Sequence, residues 1–187
     1  MKRHLLALSL LAALPFAAAA QDSGLNYNYL QGGYVATDTD GGDADGWGID
    51  GSVAIHPNWH LFAGYTQQKT DDFDIKLKNS RFGVGFNYPV GASTDLVAKL
   101  AYENFDTDLR GADNLDGYSA EVGARSAFTD NFEGYAMAGY EDGDEYDGDF
   151  YGRLGAQVKF TPNWGISGDV KFADGDKQWF VGPRFSW

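Results

Sequence analysis

Three of the 187 residues are histidines, and two of them, His56 and His60, bracket the turn-forming pair Pro57-Asn58. A histidine acting as general base needs an acid or a nucleophilic hydroxyl within hydrogen-bond reach. Both imidazoles flank a short turn, at the opposite end of the strands from the acidic connectors, so they read as polar turn residues and no enzyme activity is expected. The acidic runs Asp38, Asp40, Asp43, Asp45 and Asp142, Asp144, Glu145, Asp147, Asp149 invite calcium. An EF-hand loop requires D-x-D-x-D-G with a closing Glu at position 12. Here Asp38-x-Asp40 continues to Gly42 and Asp142-x-Asp144 continues to Tyr146, so solvated charge that keeps loops soluble is the preferred reading. There is no cysteine to hold a metal or a disulfide, and no metal or cofactor is expected.

A third charged set is spaced differently. Asp50, Glu103, Glu121, Glu133 and Asp169 stand against Arg81, Lys99, Arg125, Arg153, Lys159, Lys171 and Arg184, five acids to seven bases. Each sits inside a segment of alternating apolar and polar residues. The chemistry suited to such a set is mutual neutralisation in an enclosed space, and these twelve are candidates for interior ion pairs.

The elements that would position them follow from that alternation. Trp47, Ile49, Val53 and Ile55 oppose Gly48, Asp50, Ser52 and Ala54. The same period of two runs through Arg81–Tyr88, Leu96–Glu103, Tyr118–Phe128, Phe150–Phe160, Trp164–Phe172 and Gln178–Trp187. A period of two places each set on its own side of a sheet. Leu25–Ala36, Trp59–Gln67 and Phe132–Tyr140 are less regular, and the first shifts phase at Gly32-Gly33 as a bulge would. The count predicts ten strands, or eight if two of the weaker runs are loops. Short connectors (His56–Asn58, Pro89–Asp95, Thr129–Asn131, Thr161–Asn163) alternate with acidic ones (Thr37–Asp45, Lys69–Asp74, Asp106–Asp116, Glu141–Asp149, Ala173–Lys177), and the latter hold 19 of the 27 acids. Trp47, Phe82, Tyr118 and Tyr151 recur every 33 to 36 residues, one hairpin per repeat, as in an up-and-down meander.

A soluble barrel would show the same alternation with its apolar set inward. The aromatic spacing favours the opposite. Tyr118 and Phe128, Phe132 and Tyr140, Phe150 and Phe160, Trp164 and Phe172, and Trp179 and Trp187 are 8 to 10 residues apart. On tilted strands that spans about 19–25 Å, close to the apolar band of an outer-membrane barrel with an aromatic girdle at each interface. A mid-plane Lys or Arg facing lipid would cost roughly 2–4 kcal/mol, which puts the charged phase in the lumen.

The termini fit an exported barrel. Met1-Lys2-Arg3-His4 precedes the apolar run Leu5 to Ala20, and Ala18-x-Ala20 before Gln21 is the small-residue pattern of a cleavage site. Residues 1–20 therefore read as a signal peptide and 21–187 as the barrel. Loss of Lys2 and Arg3 takes the formal charge from −13 to −15, which disfavours nucleic acid as a partner. The C-terminal strand ends with Gly182, Phe185 and Trp187, a motif resembling the signature recognised by the barrel-assembly machinery, although Pro183 removes a ladder donor from it. Lys69, Lys76, Lys78 and Arg110 lie near the acidic connectors and could meet lipopolysaccharide phosphates. A channel through ten strands is expected to be closed or narrow once Arg, Lys, Tyr and Glu fill it.

The segments Gly33-Tyr-Val-Ala36, Asp43-Ala-Asp-Gly-Trp-Gly48, Gly51-Ser-Val-Ala-Ile-His-Pro-Asn58 and Gly117-Tyr-Ser-Ala-Glu-Val-Gly123 carry a resemblance. So do Asn131-Phe-Glu-Gly-Tyr-Ala136, Phe150-Tyr-Gly-Arg-Leu-Gly-Ala-Gln-Val-Lys159 and Trp179-Phe-Val-Gly-Pro-Arg-Phe-Ser-Trp187. Together they resemble the small exported outer-membrane proteins of Xanthomonas and its relatives, regulated by diffusible signal factor and once proposed to activate plant immunity. The resemblance implies export by the general secretory route, residence in the outer membrane and its vesicles, and a link to motility, biofilm and virulence. It names no host or cell-surface partner.

Overall fold

A computed structural model describes residues 23–187 except 40–41, 72–74, 109–113 and 145–147. The cleavage-site residues Ala18, Ala20 and Gln21 lie outside the described residues, as does Arg110.

Ten strands form: β1 (Tyr29–Asp38), β2 (Ala44–His56), β3 (Trp59–Thr70), β4 (Lys76–Pro89), β5 (Thr94–Thr107), β6 (Leu115–Thr129), β7 (Phe132–Gly143), β8 (Asp149–Lys159), β9 (Trp164–Ala173) and β10 (Asp176–Ser186). Each pairs antiparallel with its chain neighbours, and β1 pairs with β10 to close the barrel. Closure leaves no open sheet edge, which is what a strand-built wall in lipid requires.

The alternation sorts as the lipid-facing assignment demands. The outward phase is exposed at Trp47, Val53, Phe82, Val122, Leu154 and Ile166, while Ser119, Glu121, Glu133, Gln157 and Arg184 of the inward phase are buried. Val170 shares the outward phase but is buried, lying in register between Leu154 and Trp179. Rings pair directly across the ladder on the outer face: Trp59 with Phe86 at 4.9 Å, Tyr140 with Phe150 at 5.0 Å, Phe82 with Tyr102 at 5.4 Å and Trp164 with Phe185 at 4.9 Å. Such cross-strand pairs stabilise the sheet and thicken the two aromatic girdles.

Three expectations are corrected. The first strand begins at Tyr29 rather than Leu25, because residues 23–28 turn into the lumen. Gly32-Gly33 is not a bulge: the β1–β10 register is the same before and after it, from Gln31↔Arg184 to Tyr34↔Val181. The pairing lapses there opposite Gly182-Pro183, where proline has no N–H to give. A Cβ on Gly182 would lie 2.1 Å from the Gly32 carbonyl oxygen, and one on Gly33 2.1 Å from that of Val181, so the two backbones meet where only hydrogen fits. The bulges that do occur lie at Ala54/His56 and Ala127/Thr129, each just before a two-residue turn, with Ile55 and Phe128 as the extra outward residues.

Third, the connector between β9 and β10 is a two-residue turn, not an acidic loop. Asp174 (φ 42°) and Gly175 (φ 91°) both take positive φ, as a type I′ hairpin requires. In the other acidic stretches Asp38, Asp45, Asp106, Asp116, Glu141, Asp142 and Asp149 stand on strand ends. Tyr151 points inward, 5% exposed, while Trp47, Phe82 and Tyr118 are exposed on the outer face, and the 33–36-residue spacing marks one hairpin per repeat.

Candidate functional site: a charged and plugged lumen

The interior is polar because every strand turns its polar phase inward. Large inward rings fit because glycine stands across the ladder from them. His60 faces Gly85, where a Cβ would meet the imidazole at 2.0 Å, and Tyr135 faces Gly155, where it would meet the ring at 2.2 Å. The lumen is therefore filled by side chains rather than open.

At the short-turn end, residues 23–28 enter the barrel mouth. Tyr27 stacks on His60 with ring centroids 4.6 Å apart, and its hydroxyl donates to Asp95 at 2.8 Å. The Asn26 carbonyl accepts from Arg125 at 3.0 Å, and the Arg125 guanidinium lies 4.8 Å from the Tyr27 ring. The Asn26 side chain donates to the carbonyl of Trp187 at 3.0 Å, fastening the segment to the last residue. Tyr27, Val97 and Met137 form a small apolar cluster, with Leu25 and Tyr135 packed against it. The segment is a plug.

Beside the plug, Arg125 donates from Nε at 3.1 Å and from Nη2 at 2.5 Å to one oxygen of Glu133, and Lys159 pairs with the other. Across the middle, Glu121 lies 3.6 Å from Lys99 and 3.2 Å from Arg153, accepts a hydrogen bond from the Tyr151 hydroxyl at 3.1 Å, and is 4% exposed. Arg153 also lies 3.8 Å from Asp169. Nearer the acidic rim, Lys171 pairs with Glu141 at 2.5 Å, and Glu103 accepts from Ser119 at 2.6 Å and Asn79 at 3.1 Å. Burying so many charges is tolerable only because partners and hydrogen bonds replace water.

Of the twelve interior charges read from the sequence, Lys99, Glu121, Arg125, Glu133, Arg153, Lys159, Asp169 and Lys171 are brought into ion pairs. Glu103 is held by neutral donors instead. Asp50 accepts from Tyr29 at 2.9 Å, Arg184 lies 3.5 Å over the Tyr29 ring, and Arg81 lies 5.2 Å from the Phe62 ring. Gly182 faces the lumen at the barrel seam, while Trp187 is exposed on the outer face with Phe185 stacked beside it.

Sequence reading missed Tyr27, His60, Asp95 and Glu141. His60 is not a turn residue: it is 2% exposed inside the barrel, whereas His56 stays at the exposed turn. Asp95 ends the connector Pro89–Asp95 in the sequence, yet it continues the inward phase of Val97, Lys99 and Ala101, a signal the sequence carries. Lys78, read as a phosphate contact, pairs with Asp106 at 3.1 Å. At the acidic end a cavity of about 360 Å³ opens among Thr37, Thr66, Gln68, Leu77, Phe105 and Gln178. A deeper one of about 160 Å³ lies among the charges, and Thr66, Asn79 and Gln178 line both. Among the described residues no group of three or more His, Asp or Glu side chains is arranged to hold a metal ion.

A family model for the outer membrane protein beta-barrel domain matches residues 5–144. The chain belongs to that family. No match was found among curated proteins. Among solved structures, the chain is similar to the KdgM porin in complex with disordered oligogalacturonate, at 12% identity and a TM-score of 0.47, covering 87% of this chain and 99% of that one. It is also similar to the translocator domain of the autotransporter NalP from Neisseria meningitidis, at 12% identity and a TM-score of 0.45, covering 96% and 93%. The attachment invasion locus protein Ail of Yersinia pestis matches at 13% identity and a TM-score of 0.40, covering 87% and 100%. Membership of the family places the protein in the outer membrane of a Gram-negative bacterium, and the closed ten-strand ladder agrees with it.

Proposed function

We propose that this protein is a non-enzymatic barrel that serves envelope structure and surface contact, its acidic rim facing outward and its lumen shut. The observation that carries this is the plug: the Tyr27–His60 stack, tied to Asp95, Arg125 and Trp187, fills the mouth at the short-turn end. Most of the charges behind it are paired to one another rather than spaced for transit. In this account residues 1–20 are removed after Ala20 on export, Gly182, Phe185 and Trp187 are read by the assembly machinery, and lipopolysaccharide surrounds the rim. The resemblance to the Xanthomonas proteins extends the account to vesicles, motility, biofilm and virulence.

A narrow diffusion channel is the second reading, favoured by the two cavities that share walls from the acidic rim inward. Planar-bilayer recording separates the two. The intact mature barrel should give no large, stable currents, and Tyr27→Ala should introduce measurable conductance by loosening the plug. Sustained currents from the intact protein would instead establish the channel.

A further inference from the structure

Among the described residues, the large apolar side chains exposed on strands all stand on the outward phase, with a single exception. Leu77 is 42% exposed, yet it faces Gln68 across the ladder on the inward phase, at the acidic end. Phe105 stands on the same phase of the next strand, in register with Asn79 on one side and Leu115 on the other. Leu77 and Phe105 both line the outer cavity of about 360 Å³. Across that cavity the lining hydrogen-bonds. Gln68 donates from Nε2 to the Thr37 hydroxyl at 2.8 Å and to the Ala44 carbonyl at 3.1 Å, and Gln178 donates from Nε2 to Thr37 at 3.2 Å. Side chains from β1, β3 and β10 therefore hold one another in place without a ligand. The Gln178 carbonyl oxygen and the Thr66 hydroxyl line the same cavity, make no hydrogen bond among the described residues and are not closed off from it.

Charge is scarce on these walls. Of the described lining residues only Lys78 and Asp43 carry it; Lys78 is neutralised by Asp106 at 3.1 Å, and Asp43 is exposed at the lip. An anion would have to pass the rim carboxylates only to meet a cation already paired, and a cation would find one carboxylate to hold it. A neutral ligand fits better, and the two kinds of wall define its chemistry: apolar C–H on one face and hydroxyl groups around the edge, as on a sugar ring. We infer that the outer cavity binds a small neutral saccharide, its C–H face against Phe105 and Leu77 and its hydroxyls on Gln178 and Thr66. Ligand pockets run from roughly 300 to 1,000 Å³ and combine apolar walls with a few placed polar groups. At about 360 Å³ this one suits a mono- or disaccharide. Entry and exit are by the acidic rim, because the plug occupies the other end. The site is independent of whether the barrel conducts.

The test is titration of glucose, galactose, mannose, maltose and lactose, each alone, into the full mature barrel, isotope-labelled for magnetic resonance. The micelles are of a detergent without a sugar headgroup and free of lipopolysaccharide. At least one of the sugars should move the side-chain amide signals of Gln178 and Gln68 saturably. The amide of Gln157, inward at the short-turn end, should not move. Gln178→Ala and Phe105→Ala should each weaken binding roughly three- to tenfold, the worth of one hydrogen bond or one ring contact. Lys177→Gln, on the exposed outer rim, should leave it unchanged, and glucuronate, an acidic sugar, should bind more weakly than the best neutral one. Each variant is scored only if its unboiled form still migrates as a folded barrel, and the amide shifts of the unsubstituted protein need no variant. Absence of a saturable shift with every sugar would overturn the site. So would binding that keeps its full strength in both alanine variants, or glucuronate binding as tightly as the best neutral sugar.

Discussion

Glu121 joins three strands through side chains alone. Itself 4% exposed, it neutralises Lys99 from β5 and Arg153 from β8 and accepts from Tyr151. Removing one member of a buried ionic group leaves the others uncompensated, at a cost of about 3–5 kcal/mol. Glu121→Gln keeps the shape and removes the charge, so it should lower the unfolding free energy by about that amount, measured by urea titration of the folded barrel in micelles. Glu141→Gln, where the carboxylate side chain is 18% exposed against 1% for Glu121 and its partner Lys171 also lies 4.3 Å over the Tyr151 ring, should cost clearly less. Equal and small effects at the two positions would mean that the lumen is wet enough to screen its charges.

At the level of elements, closure of the seam between β1 and β10 depends on a close approach of the two backbones. Pro183 interrupts the ladder, and Gly33 and Gly182 let the strands close over the gap. Gly182→Leu should therefore prevent closure: the protein would insert poorly and lose the difference in gel migration between unboiled and boiled samples. Substitution at Gly152, where a Cβ meets nothing within 4 Å, should be tolerated. Most strands were legible in the sequence because lipid on one side and a filled lumen on the other enforce a strict period of two. What was not legible depends on neighbours distant in the chain. The plug looks like strand in the sequence because Leu25, Tyr27 and Tyr29 alternate with polar residues just as strand residues do. His60 looks like a turn residue in the sequence because its burial depends on Gly85 of the next strand and on Tyr27, 33 positions earlier. Ion-pair membership was readable by phase, but which cations remain unpaired was not, since that depends on reach across the lumen.

For the whole molecule, the inside-out distribution is the defining property. Bulky side chains such as Phe150 (76% exposed), Phe160 (65%) and Phe128 (64%) face outward, while Asp95 (0%) and Glu133 (2%) are enclosed. An apolar belt of this extent is incompatible with a monodisperse protein in plain buffer and is satisfied by lipid. Trp47, Trp164, Trp179 and Trp187 all stand on that belt, 47–53% exposed, and divide between the rim and the short-turn end. Tryptophan fluorescence therefore tests the account most directly, with the mature barrel reconstituted into bilayers of brominated lipid. Strong quenching by the bromines and weak quenching by aqueous acrylamide is the predicted result. A protein that stays soluble without detergent, its tryptophans untouched by brominated lipid, would contradict it.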